Sequence, residues 1–269
     1  MRDYLFLPKE FHRKHDVCMF LIGQIEEFIT DENYSDLRQK TINLDKNNLL
    51  PNEHIFDFLI RIGKKDEHDS IVSNSVIRSL LMDVCYFIQE GLTCSLKQRL
   101  TVSFALLRKP FVYNLIVMLR LLYEEDFIDL FNTKSDFDPA AISKEDRDAL
   151  IEISLTHLTT PVFKLDDIND WIFNKALSDS IINMSDKALH LSTTRNKNNQ
   201  TGAQNFNFIF SNYDDIYSQW EYIYSRMPAL LLYLVQITDV LVLSAIDVDD
   251  SLFEARVIKR AAFLSKETK

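Results

Sequence analysis

Apolar residues recur at spacings of three and four along most of the chain, the period of an α-helix with one buried face. Val17, Leu21, Ile25, Phe28 and Ile29 form the first such stripe, which stops at Asp31, Glu32 and Asn33. The polar stretch Asp45, Lys46, Asn47, Asn48 leads to Pro51, after which Ile55, Phe56, Leu59, Ile60 and Ile62 predict a short helix and residues 66–69 a connecting loop. Val76, Ile77, Leu80, Leu81, Val84, Cys85, Phe87 and Ile88 cover more than half a helical circumference. They predict a central helix over 70–89, with Gly91 where a C-terminus would place it. A helix over 96–107 then meets Arg108, Lys109 and Pro110. Proline disfavours helix for the residue before it, so the chain is expected to break or kink there and restart with Pro110 in a first turn. Residues 111–122 are apolar nearly all round.

The second half is more punctuated. Residues 132–141 carry Thr133, Ser135, Asp136, Asp138 and Pro139, which is turn chemistry and predicts a hinge between two helical subdomains of a single domain spanning 1–269. Ser143 is placed to cap a helix that carries Leu150, Ile151, Ile153, Leu155 and Leu158. Asp166 or Asp167 can cap the next, and Ser185–Asp186 begins a short one ending at His190 and Leu191. Residues 192–205 hold no apolar side chain larger than Ala203 and must be a loop or a polar site. Residues 205–210 alternate Asn and Phe, predicting a short extended segment that pins three phenylalanines into the core. A capped helix from Ser211–Asn212 follows, Pro228 opens a long apolar helix over 229–246, and a last helix over 252–264 clusters Arg256, Lys259 and Arg260. The fold class is therefore all-α, a bundle of about ten helices.

Composition narrows the chemistry. Four glycines and six prolines in 269 residues leave few positions for the positive-φ turns of hairpins, barrels and phosphate loops. No P-loop or dinucleotide-binding glycine pattern occurs, so no nucleotide cofactor is expected. A hydrophobic content of 46% with 19 Phe and 10 Tyr calls for a compact fold. The net charge of −10 repels a polyanion over most of the surface. Cys18, Cys85 and Cys94 are odd in number and lie in apolar surroundings, so they are expected to be buried thiols in a cytoplasmic, reducing compartment. Segment 229–246 has the hydropathy of a membrane span, but Asp239 near its centre would cost about 2.5–3.5 kcal/mol in lipid, and no second span of similar quality is evident. A buried core helix and no membrane partner are expected.

Candidate reactive groups are few. His12 and His15 flank Arg13 and Lys14 and read as a solvated basic turn, His54 and His68 read as surface residues, and no metal site is expected. No G-x-S-x-G elbow is present. Arg108 and Lys109 are either cations that satisfy nearby carbonyls and carboxylates or a local anion or RNA contact. The run Arg195, Asn196, Lys197, Asn198, Asn199, Gln200 is either a loop whose amides cap helix ends or a recognition surface.

Arg195 and Asn196 resemble the start of the R-x-x-x-x-H motif of the HEPN superfamily, with Gln200 standing where the motif's histidine would be. That superfamily consists of helical domains, many of them ribonucleases of toxin and phage-defence systems. The resemblance implies a metal-independent ribonuclease, or a degenerate relative of one, with His190 and Arg195 as its catalytic candidates and RNA as its partner. Gln200 cannot exchange a proton. The reading drawn from the residues themselves is a non-catalytic interaction or regulatory protein working through helix faces, with a protein partner or self-association into an oligomer. Arg195, Asn196, Lys197, Arg108 and Lys109 are its candidate binding residues, and no cofactor is implied.

Overall fold

The computed structural model describes residues 3–42 and 49–266; the polar stretch at 45–48 lies outside them. The chain is 69% helical, with no strand among the described residues, as expected for an all-α bundle. In chain order the helices are α1 (His12–Thr30), α2 (Ile55–Arg61), α3 (Lys65–Leu96), α4 (Leu100–Arg108), α5 (Leu115–Tyr123), α6 (Phe127–Thr133), α7 (Lys144–Leu155), α8 (Leu165–Ile168), α9 (Ile181–Leu189), α10 (Tyr213–Ala245) and α11 (Asp250–Leu264). One apolar core runs from Leu7 to Ile246, with α10 packed against α1, α3 and α5 and α4 lying between α3 and α9.

The caps expected at Ser143 and Asn212 form, whereas α8 starts after Lys164 with Asp166 and Asp167 inside its first turn, and α9 starts after Ser180 with Ser185 and Asp186 inside the helix. Ser143 Oγ accepts the Asp146 amide at 3.0 Å, Asp249 accepts from Ser251, and Asn212 and Asp215 cap each other's backbone amides at the start of α10. Several expected breaks do not occur. Helix α3 begins at Lys65, so the loop expected at 66–69 is helical, and it continues through Gly91 to Leu96. At Gly91 an added Cβ would lie 3.4 Å from Leu107, so the glycine lets α4 approach closely instead of ending the helix. Pro110 does not break the chain either: Lys109–Asn114 form a π-helical turn, with the Leu115 amide reaching back to the Pro110 carbonyl, and α4 and α5 run on through it. Pro228 sits inside α10, not at a start. In both cases, burial of the flanking apolar turns outweighs an intrinsic proline penalty of about 3 kcal/mol.

Joining these segments changes the hydropathy picture. Lys65–Leu96, Leu100–Tyr123 and Tyr213–Ala245 are each long and apolar enough to cross a membrane by length and composition, where the sequence pattern suggested one. In this structure Asp239 lies inside the bundle at 2% exposure, where Arg256 and Arg260 of α11 both bond it. Arg256 also reaches Glu27 at 2.9 Å and the Gln24 carbonyl at 3.0 Å, and Arg260 bonds Gln24 Oε1 at 2.7 Å. Lys259 pairs with Glu27 at 2.5 Å, so the three basic residues of the last helix form the clamp that holds α11 to α1 and α10.

His12 and His15 also differ from expectation, whereas His54 is exposed as expected. His15 is buried and bonds the Tyr224 hydroxyl at 2.9 Å, which in turn meets Ser95 at 2.7 Å. His12 stacks on Tyr4 and bonds the Leu7 carbonyl. Neither belongs to a solvated turn, because α1 carries them against α10 and the N-terminal segment. His54 caps α2, and His68 bonds Asp69 at 2.8 Å. No group of three His, Cys, Asp or Glu residues that could hold a metal occurs among the described residues. All three cysteines are buried free thiols, and burial pushes the Cys85 thiol up to about 12.

Candidate functional site

Two regions combine a cavity with chemically capable side chains. The first is the cleft beside the polar run. It encloses about 400 Å³ and is lined by Asn183, Asp186 and His190 from the end of α9 and by Thr193, Arg195 and Asn196 from the loop. This brings His190 and Arg195 to one surface, and both side chains are exposed and free of hydrogen bonds or ion pairs among the described residues. Gln200 lines a neighbouring hollow of about 400 Å³, together with Lys187, Phe206 and Phe210. The position that should hold the motif's histidine therefore faces a different cavity from Arg195.

The loop is built by its own amides. Asn196 accepts the Asn198 amide and donates to the Lys175 carbonyl at 3.0 Å and to Asn183 at 3.2 Å. Asn199 is buried and donates to the Asn183 carbonyl at 3.0 Å, while its Oδ1 has no partner. Thr193 and Thr201 bond across the loop, and Asn207 ties it to the His190 carbonyl at 2.9 Å. Segment 205–210 is turn and coil. Only Phe208 packs against the core, stacked on Phe104 at 5.4 Å, while Phe206 and Phe210 stack on each other and remain 46% and 64% exposed. Asn196 is thus engaged in structure, and Arg195 and the exposed Lys197 are the loop's free cations.

Arg108 and Lys109 diverge across the π-helical turn. Arg108 pairs with Asp186 and bonds Tyr113 Oη at 3.1 Å. Burial pulls the Arg108 guanidinium toward its neutral form, and these two bonds more than offset it. Lys109 pairs with Asp83 of α3 at 2.8 Å, and Asn114 donates to the other oxygen of the same carboxylate at 2.7 Å. Both cations are therefore matched by carboxylates. Arg108 touches the rim of the first cleft through Asp186, whereas Lys109 belongs to a different cavity.

That second region is a groove of about 660 Å³ between α3 on one side and the π-helical turn, α5 and α6 on the other. Val72, Val76 and Leu80 line its α3 wall, Phe127 and Phe131 its α6 wall, and Asp83 with Lys109 and Asn114 its polar end. Its size and its mostly apolar lining with a few placed polar groups suit a binding site. Arg120 holds the far wall in place. It donates to the carbonyls of Asp138, Pro139 and Ala141 and stacks against Phe127 and Phe137 at 5.4 and 5.0 Å, so the turn-rich segment 134–143 is strapped to α5. No local pattern signals this groove, because its walls lie far apart in the chain. The π-helical turn that aims Lys109 and Asn114 at Asp83 was legible only as a proline interruption. No family model, curated protein or solved structure matches the chain, so the resemblance at Arg195 rests on the residues alone.

Proposed function

We propose that the protein is a non-catalytic interaction protein that docks an apolar segment of a protein partner in the groove between α3 and α6. The observation that carries this reading is the groove itself: an open apolar channel with a preformed wall and a single polar end, in a bundle whose helices are otherwise packed on each other. The cleft at Arg195 offers less, because Asn196 and Asn199 donate to carbonyls that hold the loop, and the half-buried Arg108 at its rim is already paired with Asp186. The test is titration of a helical peptide with an apolar face and a neutral polar face. Wild-type protein binds it saturably at one site, and Ser79→Trp, which fills the groove from an exposed position on α3, abolishes binding. Binding that Ser79→Trp leaves unchanged would overturn the reading.

A second reading, a HEPN-like ribonuclease, is favoured by one observation: His190 and Arg195 line the same cleft. A histidine and an arginine on one surface could supply proton transfer and phosphate contact. Cleavage of single-stranded RNA by purified protein in chelator, lost in both His190→Ala and Arg195→Ala, would replace the interaction reading with this one. Under the first reading no cleavage is seen.

A further inference from the structure

Resting on the reading of the groove as a docking surface, we infer that its occupant is a basic amphipathic helix of a different protein, about three turns long. The length follows from α3. Val72, Val76, Leu80 and Asp83 line the groove at helical spacing, which spans about 16 Å at 1.5 Å per residue. The charge follows from the opposite wall. The segment that carries Phe127, Phe131 and Pro139 also carries Glu124, Glu125, Asp126, Asp129, Asp136 and Asp138, with Lys134 as its one cation between 124 and 138. Glu124 is neutralised by Arg120, Asp129 by Lys65, and Asp138 accepts the Ala140 amide. Glu125, Asp126 and Asp136 are exposed and have no ion-pair or side-chain hydrogen-bond partner among the described residues. An apolar channel with one wall borne by a segment that holds three exposed, uncompensated carboxylates favours a helix with cations bordering its apolar face. Because Arg120 straps this wall, little ordering is needed on binding. A second copy of the chain is disfavoured as occupant, since each copy carries −10, Arg256 and Arg260 of α11 are buried in their clamp, and the exposed Lys259 is paired with Glu27.

The experiment uses three fluorescein-labelled peptides of about 14 residues, enough for three to four turns, with the same leucine face and Lys, Gln or Glu on the other face. Fluorescence anisotropy is read against wild-type protein, the plugs Ser79→Trp and Ser75→Trp, and the exposed charge reversal Glu125→Lys/Asp126→Lys/Asp136→Lys, each checked for wild-type melting. The Lys peptide is expected to bind about tenfold more tightly than the Gln peptide and the Glu peptide least, an order that the charge reversal inverts and both plugs weaken. Equal affinity for all three peptides would overturn the basic occupant while leaving the docking surface standing. Lys-peptide binding that survives both plugs would overturn it by showing that surface charge alone holds the peptide. Dimerisation of wild-type protein in sedimentation, abolished by the plugs, would assign the groove to a second copy. Failure of all three peptides would remove the docking reading itself.

Discussion

Replacing Asp239 with leucine keeps the branching of the side chain, with somewhat larger methyl groups in place of the carboxylate oxygens, and removes the anion at the centre of the α11 clamp. The side chains of Asp239, Arg260 and Arg256 are 3%, 3% and 6% exposed, so water cannot take the place of the lost carboxylate. Arg260 would keep only Gln24, and Arg256 would keep Glu27 and the Gln24 carbonyl. Removing one partner from a buried ion pair costs about 3–5 kcal/mol, because the remaining charge stays desolvated. At about 2–4 °C per kcal/mol for a chain of this size, the melting temperature should fall by about 6–20 °C. The assay is thermal unfolding followed by circular dichroism at 222 nm, with urea unfolding as an independent measure. Asp239→Leu combined with Arg256→Met and Arg260→Met removes both sides of the clamp and should recover more than half of the loss, since an all-apolar replacement leaves no orphaned charge. A single variant that melts within a degree of wild type would refute the reasoning, as would a triple variant no better than the single one.

Three further outcomes follow from the geometry. Asn196→Ala should destabilise the protein by about 1 kcal/mol through loss of a cap and a bond to the Lys175 carbonyl, whereas Arg195→Ala should stay within about 0.5 kcal/mol, as urea unfolding can resolve. Buried and protonated, the three thiols should resist a thiol-exchange reagent in native protein at neutral pH and react fully once unfolded; rapid labelling of Cys18 or Cys85 in native protein would contradict their placement. The Arg61 guanidinium, more than the local backbone amide, holds the Glu53 carboxyl down to about 2, so the pair's contribution is complete above the ordinary carboxylate range and is lost as pH falls toward that value. Arg61→Ala should return the Glu53 titration, followed by carboxyl carbon shifts, toward the ordinary value.

Much of the fold was legible because burial imposes a period. The stripe from Val17 to Phe28 and the apolar run about Leu81 are helices buried on the faces their spacing implies. What failed were the local stop signals. Gly91, Pro110 and Pro228 each carry a chain-breaking preference of a few kcal/mol at most, and each sits where packing of the neighbouring turns overrides it. Polar residues failed in another way. From local pattern His15 reads as solvated and Arg256 only as one of a basic cluster, because their partners Tyr224 and Gln24 lie 209 and 232 residues away. At the polar run the sequence correctly isolated a segment without core residues, but it could not apportion the side chains. Asn196 turned inward to carbonyls of a preceding segment, while Arg195 stayed free. The groove has no local signature at all, since it exists only where α3 and α6 face one another across the π-helical turn.

The central claim is that this surface, and not the polar cleft, receives the protein's partner. The most direct measurement is mapping of amide chemical shifts in labelled protein on addition of the neutral amphipathic peptide. The account predicts that perturbations concentrate on the exposed face of α3 between Val72 and Asp83, on α6 and on the turn at Pro139 and Ala140. Perturbations centred on His190, Arg195 and Asn199 instead, or an unchanged spectrum at saturating peptide, would contradict it.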